Sequence, residues 1–122
     1  MPIVDVEIVC DATQAAGAAS ASALADALGQ AFGSAPGQTW LRLRLLDRLA
    51  YAENGVGLDA GDAPVFVTVL HAHPPEGAAL QAELAAVTRA VALSVGRAPE
   101  RVHVQYAPPG AGRQAFGGRL VG

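Results

Sequence analysis

Two stretches decide the fold: PIVDVEIV at residues 2–9 and PVFVTVL at residues 64–70. Each opens on a proline and then alternates. In the first, Val4, Val6 and Ile8 fall on one face, with Asp5 and Glu7 on the other; in the second, Val65, Val67 and Val69 share a face. Successive side chains of an extended chain point to opposite sides, so this period of two marks a strand with one buried face. The segments after the two strands also match. Thr13 to Phe32 is rich in alanine, carries Leu24 and Leu28, and ends at Gly33, which predicts a helix with a glycine stop. Gly77 to Gly96 places Leu80, Leu84, Val87, Val91 and Val95 at spacings of four and three, which predicts a second helix with an apolar stripe. Pro36 with Gly37 marks a loop after the first helix, and Pro99 marks one after the second. Each loop leads into another alternating run. TWLRLRLL sets Leu41, Leu43 and Leu45 against Arg42 and Arg44; RVHVQY sets Val102, Val104 and Tyr106 against His103 and Gln105.

The chain is thus written twice, as strand, helix, strand over residues of approximately 2–61 and again over 64–122. A β-α-β unit has a right-handed crossover and two parallel strands. The expected fold class is α+β, a two-layer sandwich. Its two tandem β-α-β units form a four-stranded sheet with both helices on one face, all within a single domain spanning residues 1–122. The segments 47–63 and 107–122 are rich in glycine and suit short hairpins or arms. The helices would take the valine and leucine face, leaving Trp40, Arg42, Arg44, Phe66, Thr68, Leu70, His103 and Gln105 opposite. That mixture is too apolar for open solvent and too polar for a core. A symmetric oligomer packing these faces around an axis resolves the conflict.

Composition narrows the partners. A net charge of −3 and a pI near 5.4 leave no basic footprint, so nucleic acid is not expected. Cys10 is the only cysteine, which excludes an internal disulfide and a cysteine-based zinc cage. MPIVDVEIV places acids inside its apolar run and lacks a basic start, unlike a signal peptide. Nor is there an unbroken apolar run of about 18 residues to span a bilayer. The expectation is a cytoplasmic protein with no membrane partner and no cofactor.

A strand beginning at Pro2, a doubled β-α-β unit and a glycine-rich tail after each half resemble the tautomerase superfamily. The resemblance is strongest to fused 4-oxalocrotonate tautomerase-like proteins; macrophage migration inhibitory factor and the carboxymethyl-hydroxymuconate isomerases are more distant. It covers nearly the whole chain and is most specific in MPIVDVEIV, TWLRLRLL, and RVHVQY with the tail GRQAFGGRL. The resemblance implies a homotrimer with active sites at subunit boundaries. It also implies a small-molecule carboxylate substrate, with Pro2 as catalytic base once Met1 is removed.

The chemistry is coherent. Removing Met1 exposes a secondary amine, and an ordinary α-amino group titrates near pH ~7.7–8.0. An apolar pocket and nearby arginine charge disfavour the ammonium, so a neutral amine can move a proton between the carbons of an enol acid. Pro64 holds the matching place in the second half but is internal and has no amine. Arg42 falls where 4-oxalocrotonate tautomerase has a substrate-binding arginine. With Arg44 it is positioned either to grip a carboxylate or to pair with Asp5 and Glu7 on the same face. His103 and Gln105 match the tyrosine and asparagine that the inhibitory-factor branch lends to a neighbouring proline. His103 reads either as a substrate donor or as a polar residue of a subunit interface. His71 and His73 fall near positions where some dehalogenases and decarboxylases of the superfamily carry arginines, which makes His71 a substrate-binding candidate. As local sequence, with Pro74 next in the chain, both are exposed loop histidines. No carboxylate or cysteine joins His71, His73 and His103 at ligand spacing, so no metal site is expected.

The chain also departs from the family. Ala12 stands where 4-oxalocrotonate tautomerase has an early arginine, and Ser34 and Ala35 lie where the inhibitory factor has its lysine. The expected activity is ketonisation of a small enol-carboxylate. The alternatives are hydration or dehalogenation of an unsaturated acid, for which Glu53 is an available carboxylate, and a catalytically silent oligomeric binding protein.

Overall fold

The computed structural model describes residues 2–11 and 20–122. The first part of the helix expected from Thr13 lies outside the described residues, as does Ala12. The rest of that segment is helical. Helix α1 runs over Ala21–Phe32, opened by Ser20, whose hydroxyl accepts a hydrogen bond from Ala23 N at 3.2 Å. It closes on Gly33, whose φ of 67° is left-handed and favours a residue without Cβ. Helix α2, Gly77–Val95, ends the same way at Gly96, with φ 75°.

Four strands make the main sheet: β1 (Ile3–Cys10), β2 (Trp40–Asp47), β3 (Val65–Leu70) and β4 (Val102–Tyr106). Their order is β2-β1-β3-β4. Strands β1 and β2 are parallel, as are β3 and β4, while the central pair β1 and β3 is antiparallel. This is the expected two-layer α+β arrangement, two β-α-β units joined through their first strands. Because those strands run in opposite directions, Pro2 and Pro64 head opposite ends of the sheet.

The core lies between sheet and helices. Val4, Val6 and Ile8 of β1 and Val65, Val67 and Val69 of β3 are buried against Leu24 and Leu28 of α1 and Val87 and Val91 of α2. Leu41, Leu43 and Val104 pack at its margins. Leu45, expected to continue the inward face of β2, is 45% exposed, since β2 is an edge strand and this residue lies near its far end. By length and mean hydropathy (1.3), α2 is a candidate membrane span, which the sequence reading did not anticipate. Polar residues interrupt it, Glu83 and Arg89 among them, and Val87, Val91 and Ala92 are buried in the core.

The trailing segments differ. After β4 a small hairpin forms, β5 (Ala115–Phe116) with β6 (Arg119–Leu120), and the Phe116 ring stacks on Trp40 at 4.4 Å between centroids. After β2 there is a 3-10 turn over Arg48–Ala50 and a single antiparallel bridge, Glu53 to Val56.

Candidate active site

Pro2 is fully buried and its carbonyl accepts a hydrogen bond from Trp40 N at 3.1 Å. Its parity matches Val4, Val6 and Ile8, so its ring belongs to the helix-facing side of the sheet. Ile3 pairs with Trp40 on one flank and Leu70 on the other. One step further along this register, Pro2 falls between Thr39 and His71.

His71 has the parity of the buried Val65, Val67 and Val69, and its side chain is only 11% exposed. This differs from a loop histidine in solvent. The strand's alternation persists one residue past its last pair, and the imidazole turns inward under α2. His71 Nε2 lies 3.0 Å from Glu83 Oε2, and Tyr106 donates its hydroxyl proton to the same oxygen at 2.8 Å. Phe32 packs edge-on to the imidazole at 5.2 Å, and Tyr106 lies nearly parallel to it at 6.1 Å. Burial, followed by the hydrogen bond and charge of Glu83, holds the Tyr106 phenol well above the usual tyrosine range. His73, one step past the strand's inward face, is exposed and lies 2.7 Å from the carbonyl oxygen of Gly122.

The other candidates sit on the opposite, open face. Arg42 grips Asp5 with two hydrogen bonds, Nε to Oδ1 at 2.6 Å and Nη2 to Oδ2 at 2.9 Å. These bonds hold the Asp5 carboxyl below its ordinary range against the opposing effect of burial. The pairing follows from the register, in which Asp5 faces Arg42 and Glu7 faces Arg44. Arg44 shares a depression of about 310 Å³ with Asp5, Glu7, Phe66, Thr68 and Gln105. Gln105 donates to the Thr68 hydroxyl at 3.0 Å, and His103 lies beside Phe66 at 5.6 Å. Within one chain, then, the register of β1 and β3 carries Pro2 toward His71, while Arg42, Arg44, His103 and Gln105 lie on the opposite face of the sheet. Their joining one site with Pro2 requires a neighbouring copy.

Replacing Arg42 by alanine should return the Asp5 carboxyl to the ordinary range. A depressed carboxyl contributes stability above its unfolded pKa of about 3.9 and loses it as pH falls through the folded value. The variant should therefore show a flatter acid limb of stability, and carboxyl carbon NMR should show Asp5 titrating higher.

A second polar cluster occupies the end headed by Pro64. Glu53 Oε2 accepts from the Tyr51 hydroxyl at 2.6 Å and from Arg101 Nη2 at 2.8 Å. Both bonds pull Glu53 below the usual carboxylate range, while the bond to Glu53 raises Tyr51. Arg101 precedes Val102, which pairs with Val65, so Glu53 lies far from Pro2 of its own chain. Tyr51 and Tyr106, the two tyrosines of the chain, thus both donate to carboxylates. Raised pKa values favour the folded protein up to about pH 10, the unfolded tyrosine value, and that advantage fades as pH climbs further. Absorbance at 295 nm should show tyrosinate appearing late, together with loss of structure.

Sequence reasoning did not single out Glu83, Tyr106, Phe32 or Arg101 as site residues. The parity of Tyr106 with Val102 and Val104 was the available signal. Among the described residues, no three of histidine, cysteine, aspartate and glutamate converge to hold a metal ion.

No protein-family model matches the chain, and no curated protein matches it. Solved structures do. A wild-type fused 4-OT symmetric trimer is 23% identical, with TM-score 0.70, over 98% of this chain and 94% of the other. A malonate semialdehyde decarboxylase inhibited by 3-bromopropiolate is 19% identical, TM-score 0.64, over 94% and 90%. A macrophage migration inhibitory factor homologue from Prochlorococcus marinus is 14% identical, TM-score 0.70, over 98% and 99%. The chain has the fold of the tautomerase superfamily.

Proposed function

We propose that this protein is a tautomerase that ketonises a small enol-carboxylate, with the amine of Pro2 as general base and then acid after Met1 is removed. The observation that carries the reading is the place of Pro2. It heads a central strand and is buried at one end of the core, where continuation of the Ile3–Leu70 register leads to His71, while its counterpart Pro64 is internal. An amine among apolar walls keeps its lone pair unsolvated and close to a bound enol. The fused 4-OT structure is a symmetric trimer, and three copies of this chain would cover the open face with its exposed Phe66. In such a homotrimer Arg44 and Gln105 of one copy could reach Pro2 of the next and hold the substrate carboxylate. Arg42 first has to leave Asp5. Glu53, engaged by Tyr51 and Arg101 at the Pro64 end, favours ketonisation over activation of water.

The test is turnover of phenylenolpyruvate by protein with mass-verified removal of Met1, beside the Pro2→Ala variant. Equal rates for the two would sink the proline mechanism.

A further inference from the structure

The helix-facing positions of β3 and β4 are valines until the sheet reaches the end where Pro2 lies. There they become His71 and Tyr106, and α2 supplies Glu83 to meet both. A carboxylate with its side chain 13% exposed is costly between two layers unless its partners are fixed. Packing alone would be served by leucine and phenylalanine.

We infer that Glu83 is a positioning residue of the Pro2 site: it holds the His71 imidazole by Nε2, leaving Nδ1 as the hydrogen-bond partner of the Pro2 amine. The inference rests on the reading of Pro2 as the base. Glu83 Oε2 lies 3.0 Å from Nε2, and a carboxylate only accepts, which assigns the ring proton facing it to Nε2. When the ring is neutral, Nδ1 keeps its lone pair. The edge of Phe32 and the face of Tyr106 fix the ring plane. Neighbouring residues of an antiparallel pair have Cα atoms about 4.5–5.5 Å apart, which brings side chains of the same face into contact. Pro2 and His71 are such neighbours by continuation of the Ile3–Leu70 register. A neutral secondary amine has one N–H and one lone pair. If Nδ1 accepts that N–H, inversion at the ring nitrogen is arrested and the lone pair has a single direction, toward the substrate. The general pattern is a base whose geometry is set by an orienting partner, itself held by a carboxylate. Orientation of this kind acts on the chemical step and not on substrate affinity.

Three variants of the Met1-free protein separate the possibilities, assayed with phenylenolpyruvate below their measured unfolding temperatures. Glu83→Leu should lower kcat about tenfold or more while KM stays within about twofold. Glu83→Gln keeps an amide oxygen that accepts from Nε2, and should recover most of the lost kcat. Pro2→Ala should be the slowest. Wild-type kcat in Glu83→Leu, with Pro2→Ala slowed, would overturn the positioning role and leave the base intact. Full activity in Pro2→Ala would instead remove the base reading itself. Should Glu83→Leu fail to fold, long-range proton–nitrogen NMR of the unaltered protein decides. A His71 ring protonated on Nε2 alone is the expected neutral form, and one protonated on Nδ1 alone overturns the inference.

Discussion

Protein that keeps Met1 should turn over enol-carboxylates roughly a hundredfold to ten-thousandfold more slowly than protein beginning at Pro2, the range ordinarily supplied by a positioned acid–base group. The cause is electronic. With Met1 attached, the nitrogen of Pro2 belongs to an amide whose lone pair is delocalised into the carbonyl, and it has neither basicity nor a proton to give. Removal of Met1 restores both. Pro2→Ala after the same processing has a primary amine at a position evolved for a ring, with free rotation about its first bond. Its rate should fall between the two. The order wild type, then Pro2→Ala, then Met1-retained protein is therefore the signature of amine catalysis. Mass spectrometry fixes which species is in each cuvette, and initial rates of ketonisation give the ratio. Met1-retained protein as fast as the processed form would remove the amine from the mechanism altogether.

How much of this was readable in the chain depends on whether a feature is local. Alternation in PIVDVEIV and PVFVTVL specified both strands and their buried faces, because a period of two has one structural meaning when one side is apolar. The same logic put Asp5 and Glu7 on the face of Arg42 and Arg44. The structure pairs Asp5 with Arg42 and leaves Arg44 on the edge of a depression with Glu7 nearby. His71 carries the parity of a buried valine, yet Pro74 behind it reads as a loop, and the turn signal hid an inward side chain. Glu83 could not have been found this way. It lies beside the apolar stripe of α2 and meets His71, twelve residues earlier, only because the crossover lays the helix across the end of β3. Glu53 and Arg101 are forty-eight residues apart and meet for a similar reason. Contacts made by topology leave no mark on periodicity, so the sequence shows the frame and the proline but not the polar clusters at each end.

The second large effect concerns stability, and it separates a cluster kept for packing from one kept for a site. Glu83→Leu removes the acceptor of two donors in a part-buried layer, leaving His71 Nε2 and the Tyr106 hydroxyl without their partner. Breaking one member of such a buried set costs about 3–5 kcal/mol, chiefly because the remaining polar groups stay desolvated and unpaired. Joint replacement by His71→Leu, Glu83→Leu and Tyr106→Phe removes the stranded groups as well as the bond. With similar volume in an otherwise valine- and leucine-lined core, the triple variant should regain most of that loss and come within about 1 kcal/mol of wild type or exceed it. Urea unfolding at one fixed protein concentration measures both, so that any subunit association contributes equally. A triple variant as unstable as Glu83→Leu alone would mean that the polar cluster holds the layers together by itself. Recovery of stability without recovery of turnover points the other way. An apolar set would then have served the fold as well, and the conversion of valine positions to histidine and tyrosine beside Pro2 is explained by what happens at the proline.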